Sequence, residues 1–509
     1  MAGKRTTRPA HLPHGRWLSD LEPPQLRIAE KALVECCKRG EAWEPKNWDK
    51  QRPEKGTNAN RIRAGLIRFL LLGGDTNHPV HETGVQLKGA WVEGELDLEE
   101  IESPNLLSMS ECHFCEYIRM SDARFSGLIL SRCRIAGLSA QRARFAGNVS
   151  LEGSRCEGFI SFAAATIEGQ FDLDDTRLLN PLKEGEDEGD EESHIKRAGK
   201  ALIAQNLVVK NQMFFRPKKV QGIVRFTNAT IDTLIDCHQD DFGDCKTYWP
   251  DHQYYLDGLV YKRLPRGVNV TRRVEWLNKQ HSEQLGKNFA PQPWEQLAKV
   301  LRENGHSGEA GEVAIAKQEA RRKAGQIGCR PVSTFDDSRI PSVRMGIDFI
   351  WKEISNRIEY AWHWIYGGIS GYGYRPQRIV YLMFGIALLS ALAYQEGSRA
   401  GHFGPTHPLI HQDDDRVECG PDGKNWVLAE CSVPPEHSTF QPMLYSLDLI
   451  LPLVDLHQES DWQPIVVKED GETVWAGWWL RALMWFEILF GWFGSLMLVA
   501  ILGRLVEKD

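Results

Sequence analysis

A small residue followed closely by an apolar one recurs through the middle of this chain at spacings of ten and eleven residues. The copies begin at positions 112, 123, 133, 143, 154, 165 and 176 and read CHF, ARF, CRI, ARF, SRC, ATI and TRL. An amphipathic α-helix needs apolar residues three or four apart, so this period excludes one. A short regular period with small side chains instead predicts a β-solenoid, in which each coil buries its apolar edge against the next.

The solenoid pattern covers residues 83–264. It resembles the pentapeptide-repeat proteins, although its copies depart from their usual A-(D/N)-L-x-x repeat. The resemblance implies a right-handed, four-sided β-helix. A run of acids at 183–194, KEGEDEGDEESH, interrupts the pattern, and we expect it to form a solvated loop on one edge.

Helical patterns lie on both sides of the predicted solenoid. Residues 24–45 and 60–72 each read as an amphipathic helix, and they predict a helical cap over residues 1–82. On the C-terminal side, residues 265–330 predict a linker, in which the pattern of 291–323 is typical of a helical hairpin.

Residues 340–374 predict one more amphipathic helix. Its apolar stripe and its aromatic content are typical of a helix that lies on a membrane surface. An ordinary packed helix is the alternative. The stripe consists of Val343, Ile347, Ile350, Ile354, Ile358, Trp362 and Ile365.

Two apolar runs near the C-terminus, residues 378–394 and 478–503, have the length of membrane-spanning helices. Basic residues precede the first run and follow the second, whereas the connecting loop 396–477 is acidic. The positive-inside rule therefore predicts that both termini are cytoplasmic and the loop is outside. We expect residues 375–509 to lie in a bacterial inner membrane. The residues expected to anchor the spans are Arg375, Arg378, Arg481 and Arg504.

Eleven cysteines are spread along the chain without a dense framework, which predicts reduced thiols over most of its length. Two of them, Cys419 and Cys431, lie in the loop that we expect to be outside. An oxidising compartment favours a disulfide between these two, and two unpaired thiols are the alternative.

A dozen mostly apolar residues, 445–456, lie between the two spans and are too few to cross a bilayer as a helix. The order of span, short re-entrant helix and span resembles the two-transmembrane potassium-channel-like pore domain. The sequence GYGYRPQR at 371–378 also resembles the lead-in of bacterial pentapeptide-repeat proteins that carry such a domain. The resemblance implies a symmetric homo-oligomer in a lipid bilayer, a tetramer by analogy.

The pore-like segment departs from a potassium filter, which uses a TVGYG-type run. Residues 450–456 read ILPLVDL, without glycine and with Pro452. Asp455, repeated around an oligomer, would form an acidic ring that favours cations. The alternative is that Asp448 and Asp455 cap or anchor the segment at the outer surface. Glu487, deep in the second span, is expected to face a protein interior or water, lining a pore or pairing with a neighbouring subunit.

Enzymatic motifs are lacking in the sequence, although relatives of this kind are often labelled membrane-associated oxidoreductases. The chain has no strand-GxGxxG-helix unit for a dinucleotide. Cys112 and Cys115 form a CxxC, but Cys112 occupies a small-residue position of the repeat, and no second CxxC completes a zinc site. We therefore expect no cofactor and no metal. The net charge of −8 also argues against a nucleic-acid partner.

The sequence thus predicts a mixed fold with a β-solenoid, a helical linker and a two-span helical membrane domain that contains a re-entrant, pore-like segment. The first hypothesis for function is an oligomeric, ion-channel-like membrane protein whose cytoplasmic solenoid senses or binds a protein or a ligand. The second is a membrane-anchored interaction scaffold without a pore. The third is a membrane-associated oxidoreductase.

Overall fold

The structure is a computed structural model of the 509-residue chain. It separates into two compact units, Met1–Gln326 and Ile327–Asp509. The predicted acidic insertion, 183–194, lies outside the residues that the structure describes. The described residues are 16–21, 23–46, 48–181, 199–239, 245–247, 249–265, 269–286, 288–327, 343–407, 410, 425–428, 437–468 and 471–506.

The first unit is built on parallel β-sheets. Within the described ranges it has three of them, all open at their edges, and a small antiparallel pair. The first sheet contains, in spatial order, β1 (Arg61–Arg63), β3 (Trp91–Glu93), β7 (His113–Phe114), β11 (Arg134–Ile135), β15 (Arg155–Cys156), β19 (Arg177–Leu179) and β22 (Lys219–Gln221). The antiparallel pair is β25 (Cys237–Gln239) with β26 (Cys245–Thr247).

The second sheet is the longest, because β21 pairs with both β17 and β18 and so joins two rows of strands. Its order is β2 (Val85–Lys88), β6 (Leu107–Ser110), β10 (Leu128–Ser131), β14 (Val149–Ser150), β18 (Phe171–Asp172), β21 (Val208–Phe214), β17 (Thr166–Ile167), β13 (Arg144–Phe145), β9 (Arg124–Phe125) and β5 (Glu102–Ser103), with β24 (Thr230–Ile235) and β28 (Val260–Arg263) continuing from β21. The third sheet contains β27 (Tyr254–Tyr255), β23 (Ile223–Arg225), β20 (Lys200–Ile203), β16 (Ile160–Ser161), β12 (Leu138–Ser139), β8 (Ile118–Arg119) and β4 (Leu96–Asp97).

The pairing of these strands follows the sequence period. From β2 to β17, each strand pairs with the strand four later in the chain. In the third sheet Leu96 pairs with Ile118 and Ile118 with Leu138, which are 22 and 20 residues apart, or two copies of the predicted period. Because parallel strands in register place equivalent side chains above one another, these three residues form one buried apolar row.

The small residues of the repeat form the corresponding interior rows. Their copies begin alternately just before strands of the first and second sheets, and all seven side chains are fully buried. A small side chain suits each of these positions because the position is enclosed in the interior of the unit. The seven residues are Cys112, Ala123, Cys133, Ala143, Ser154, Ala165 and Thr176.

Two short helices lie near the start of the first unit, one before and one after β1. Helix α1 (Ile28–Arg39) lies within the predicted range and ends at Gly40, whose φ of +71° is a conformation that glycine adopts readily. Helix α2 (Ala64–Leu71) begins later than predicted, because residues 61–63 instead form β1 and pair with β3. A buried ion pair of 2.6 Å between Glu30 and Arg63 connects α1 to β1.

The C-terminal part of the first unit is helical. Residues 291–323 form a hairpin of two helices, with the turn at Gly305. Before the hairpin, Arg273 of helix α3 (Val270–Asn278) makes a buried ion pair of 2.6 Å with Asp236, which directly follows strand β24. This ion pair connects α3 to the second sheet. The helices are α3 (Val270–Asn278), α4 (Ser282–Leu285), α5 (Gln292–Glu303) and α6 (Ser307–Lys323).

The described cysteines are mostly free, as the composition predicts. Free thiols are found at Cys36, Cys37, Cys112, Cys115, Cys133 and Cys156. Cys237, at the start of β25, is instead disulfide-bonded and so departs from the expectation of reduced thiols.

The second unit is mainly helical. Helices α8 (Gln377–Arg399) and α11 (Trp475–Val506) are long and apolar enough to cross a membrane, by length and composition. With the parallel sheets of the first unit, they confirm the mixed fold class. Aromatic side chains of helix α7 (Val343–Ser370), among them Trp351 and Trp362, are exposed. The elements are α7 (Val343–Ser370), α8 (Gln377–Arg399), β29 (Phe403–Pro405), α9 (Pro442–Ile450), α10 (Gln458–Asp461), β30 (Trp462–Pro464) and α11 (Trp475–Val506).

The buried row of the third sheet yields a stability prediction. Leu138→Ala removes apolar volume between Ile118 and Ile160, and we expect a loss of about 2–5 kcal/mol in the free energy of unfolding. Ser139→Ala, one residue along and on the outward face, should change it by less than about 0.5 kcal/mol. Urea unfolding followed by circular dichroism measures both. Equal effects of the two substitutions would contradict the assigned register.

Candidate functional site

The segment predicted to be pore-like, residues 445–456, comprises the later part of helix α9 and the stretch that follows it. Pro442 suits the first turn of a helix, because its missing N–H has no partner to lose there. The helix ends at Ile450 because Leu451 precedes Pro452, and a residue before proline disfavours helical dihedrals. The chain then turns back through residues 451–457, the return segment, and continues as α10. The predicted segment is thus part helix and part irregular backbone.

Helix α9 packs between the two long helices α8 and α11. A Cβ at Gly491 would lie 2.3 Å from the carbonyl oxygen of Ile450, so this glycine lets α11 approach the last turn of α9. A Cβ at Gly494 would lie 2.9 Å from the sulfur of Met383 on α8. Small residues therefore set the close contacts of the helix junction, which we define as the meeting point of α8, α9 and α11.

Glu487 of α11 lies at the centre of the helix junction and is fully buried. The hydroxyl of Tyr394, on α8, donates a hydrogen bond of 2.9 Å to its carboxyl. The hydroxyls of Ser446, on α9, and Ser390, on α8, are also hydrogen-bonded to it. Within the described part of the chain, neither a lysine nor an arginine forms an ion pair with Glu487. Its partners among the described residues are neutral hydroxyls of the same chain.

Asp448 of α9 is buried and holds the return segment in place. Its carboxylate accepts backbone N–H groups from Leu456 at 2.6 Å and from Gln458 and Glu459 at 2.8 Å each. A carboxylate that accepts three N–H groups stabilises both the turn and the start of α10. Such contacts are the ones expected if Asp448 caps the segment, which is the alternative to a role in a pore.

The return segment exposes apolar side chains and one acid. Leu453 is 88% exposed, and Val454 is exposed on the same stretch. Asp455 is also exposed, and its carboxylate accepts the backbone N–H of His457 at 2.8 Å. Pro452 is half-buried. The structure therefore separates the predicted pore residues: Asp455 lies on the surface of this chain, whereas Asp448 and Glu487 lie inside it.

The predicted anchors differ in their contacts. Arg481 donates to the carbonyl oxygen of Pro464 at 2.9 Å and to the side-chain oxygen of Gln463 at 3.3 Å. Arg378 donates to the carbonyl oxygen of Gly368 at 3.5 Å. Arg375 precedes α8, and Arg504 lies in the last turns of α11. Cys419 and Cys431 lie outside the described residues.

The sequence reasoning missed the hydroxyl partners of Glu487. Ser390 and Tyr394 are four residues apart on α8, so they lie on one helical face within an apolar run. Ser446 precedes Asp448 by two residues on α9. Polar residues at helical spacing inside a membrane-length helix are the signal that points to such a cluster, because polar side chains in a span need partners.

Asp448→Asn tests the capping role of the buried carboxylate. The amide has one oxygen to accept the three N–H groups and brings its own NH₂ against them, so we expect the return segment to lose about 1–3 kcal/mol of local stability. Amide hydrogen exchange at Leu456, Gln458 and Glu459 measures this loss. Asp455→Asn is the matched control and should leave these amides protected. Unchanged protection in Asp448→Asn would rule out the cap.

Features of a redox or metal site are not brought together in the described residues. Full burial of Cys112 raises the pKa of its thiol, and partial desolvation raises that of the more exposed Cys115. A reactive cysteine instead has a lowered pKa. The described ranges contain no group of three histidine, cysteine or acidic side chains that would hold a metal ion.

Comparisons with protein-family models, with curated proteins and with solved structures each find no match to this chain.

Proposed function

We propose that this chain is an oligomeric, channel-like membrane protein in which the return segments of several copies meet. The observation that supports this best is the exposed return segment between α9 and α10, which the carboxylate of Asp448 holds in place. Apolar Leu453 and Val454 are exposed where a soluble surface would favour polar residues. Contact between copies would cover them. By analogy with two-transmembrane pore domains, the oligomer is a tetramer.

The exposed carboxylate of Asp455 is the charged group of the return segment that suits a role in conduction. In a symmetric oligomer its copies would form an acidic ring, and such rings favour cations. The segment lacks the glycines that a potassium filter requires, so we do not propose potassium selectivity. Pro452 gives the turn of the segment a fixed backbone angle.

We propose that the parallel strands of the first unit wind as a right-handed β-solenoid of the pentapeptide-repeat type. The regular pairing of each strand with the strand four later supports this, because a four-sided coil requires that pairing. Solenoids present extended surfaces to partners, so a sensing or binding role for a protein or a ligand suits this unit.

For the second unit we propose the bacterial inner membrane, with both termini in the cytoplasm. The apolar surface of α8 and α11 supports a membrane environment, since Leu389 and Leu496 are among many exposed apolar side chains there. The basic residues before α8 and after the apolar part of α11 support the orientation.

A membrane-anchored scaffold without a pore is the second candidate, and a specific observation favours it. Glu487 and Asp448 both find their partners within one chain, so neither needs a water-filled path or a neighbouring subunit. In this case the return segment would pack against the outer surface of the same unit or against lipid headgroups.

Ion flux from liposomes that contain the purified full-length protein tests the channel. We expect cation flux from the wild type and a lower preference for cations over anions in Asp455→Asn, because the acidic ring loses its charge. Glu359→Gln, which neutralises an exposed acid on α7, is the matched control and should behave as wild type. Absence of flux, together with a monomeric mass in detergent, would reject the channel in favour of the scaffold.

A further inference from the structure

The hydroxyl of Ser446 has two acceptor oxygens within hydrogen-bond distance but only one hydrogen. Its oxygen lies 2.9 Å from the carbonyl oxygen of Ala387 and also in short contact with one carboxyl oxygen of Glu487. If Glu487 were ionised, one of these two oxygen–oxygen contacts would have no hydrogen in it. If Glu487 carries a proton, it donates to Ser446, and Ser446 donates to Ala387, so both contacts are hydrogen bonds.

The charges around Glu487 agree with a neutral carboxyl. The two hydroxyls that contact it from α8, those of Tyr394 and Ser390, are uncharged. From α9, Tyr445 is buried and uncharged, and the buried carboxylate of Asp448 is bound to backbone N–H groups at the return segment. From its own helix, the guanidinium of Arg481 is bound to Pro464 and Gln463. A buried carboxylate without a cation costs several kcal/mol, so a neutral form is favoured.

The proton thereby connects the three helices of the junction. Glu487 belongs to α11, Ser446 to α9, and Ala387 and Tyr394 to α8. The chain of donors runs from the carboxyl through Ser446 to the backbone of α8. Ser446 lies two residues before Asp448 on α9, and Asp448 holds the return segment. Loss of the proton would place an uncompensated negative charge against α9, the helix that leads into the return segment.

We propose that Glu487 is a proton-binding site. The bound proton holds α9 and the return segment in the packed arrangement described above, the closed junction, and release of the proton to solvent loosens them into an open junction. The site is a proton sensor at the helix junction. Its effect on ion flux rests on the proposed function, whereas its effect on the packing of α9 does not.

Amide hydrogen exchange of the full-length protein in liposomes, corrected for the intrinsic pH dependence of exchange, tests the site. When the junction opens to water, the carboxyl would ionise as an ordinary glutamate does, with a pKa of about 4.3. Above that pH, and until the closed junction also loses its proton, opening requires the release of one proton. We therefore expect exchange of the α9 amides to rise about tenfold per pH unit in wild type.

Glu487→Gln is the matched variant, because its amide keeps a donor for Ser446 and an acceptor for Tyr394 but cannot ionise. We expect its α9 amides to be protected at low pH and its corrected exchange to be independent of pH. A pH dependence in Glu487→Gln equal to that of wild type would overturn the proposal. So would lost protection at every pH, because the charged form would then be the one that holds α9.

Tyr394→Phe provides a second variant if Glu487→Gln fails to fold. It removes one donor from the junction and keeps the titrating carboxyl, so the tenfold slope should remain. A flat profile in this variant would overturn the proposal. Infrared spectra add a direct readout: the carbonyl stretch of a protonated carboxyl should disappear from the wild type over the pH range in which α9 loosens. Liposome flux on the same samples tests the channel separately, since exchange can follow pH whether or not ions pass.

Discussion

Parallel pairing between strands that lie mostly 20 to 22 residues apart is the constraint on which the first unit depends. Each interior position is covered by the equivalent residue of the next row, so it must be apolar or small throughout, as in the row of Leu96, Ile118 and Leu138. Outward positions carry no such demand. There Arg134 and Arg155 stand on neighbouring strands and share the carboxylate of Glu157. The shared acid offsets the repulsion that two stacked cations would create.

A different constraint governs the second unit, where apolar helices have little reason to choose one packing over another. Glycines at 491 and 494 permit close approach, and the hydrogen bonds of Glu487 with Tyr394 and Ser446 specify which faces meet. Buried polar groups of this kind cost free energy to desolvate and are tolerated when each has a partner. Their contribution is therefore to position α9 more than to stabilise the helices.

The two carboxylates of the pore-like segment illustrate how position decides role. Asp448 lies on the inner side of α9 and is saturated by backbone N–H groups. Asp455 lies seven residues later on the exposed return segment, where solvent or a neighbouring copy can reach it. The channel and the scaffold therefore differ mainly in what covers residues 451–457, and both depend on the same support from Asp448.

Much of the architecture followed from the sequence. The ten-residue and eleven-residue period predicted the alternating strands, because side chains that must repeat in space also repeat in sequence. The apolar runs predicted α8 and α11, since span length follows directly from composition. Residues 61–63 were predicted as helix but form β1, because pairing with β3 outweighs a local helical pattern.

What only the tertiary structure decided is the environment of each polar residue in the helix junction. The sequence marked Glu487 as unusual but left open a pore, a neighbouring subunit or an interior. The structure surrounds it with Tyr394, Ser446 and Ser390, from segments 41 to 97 residues away in the sequence. Composition and spacing determine which segments become strands or spans, because these properties are local. The partner of a buried carboxyl is not local, because it depends on which helix faces meet.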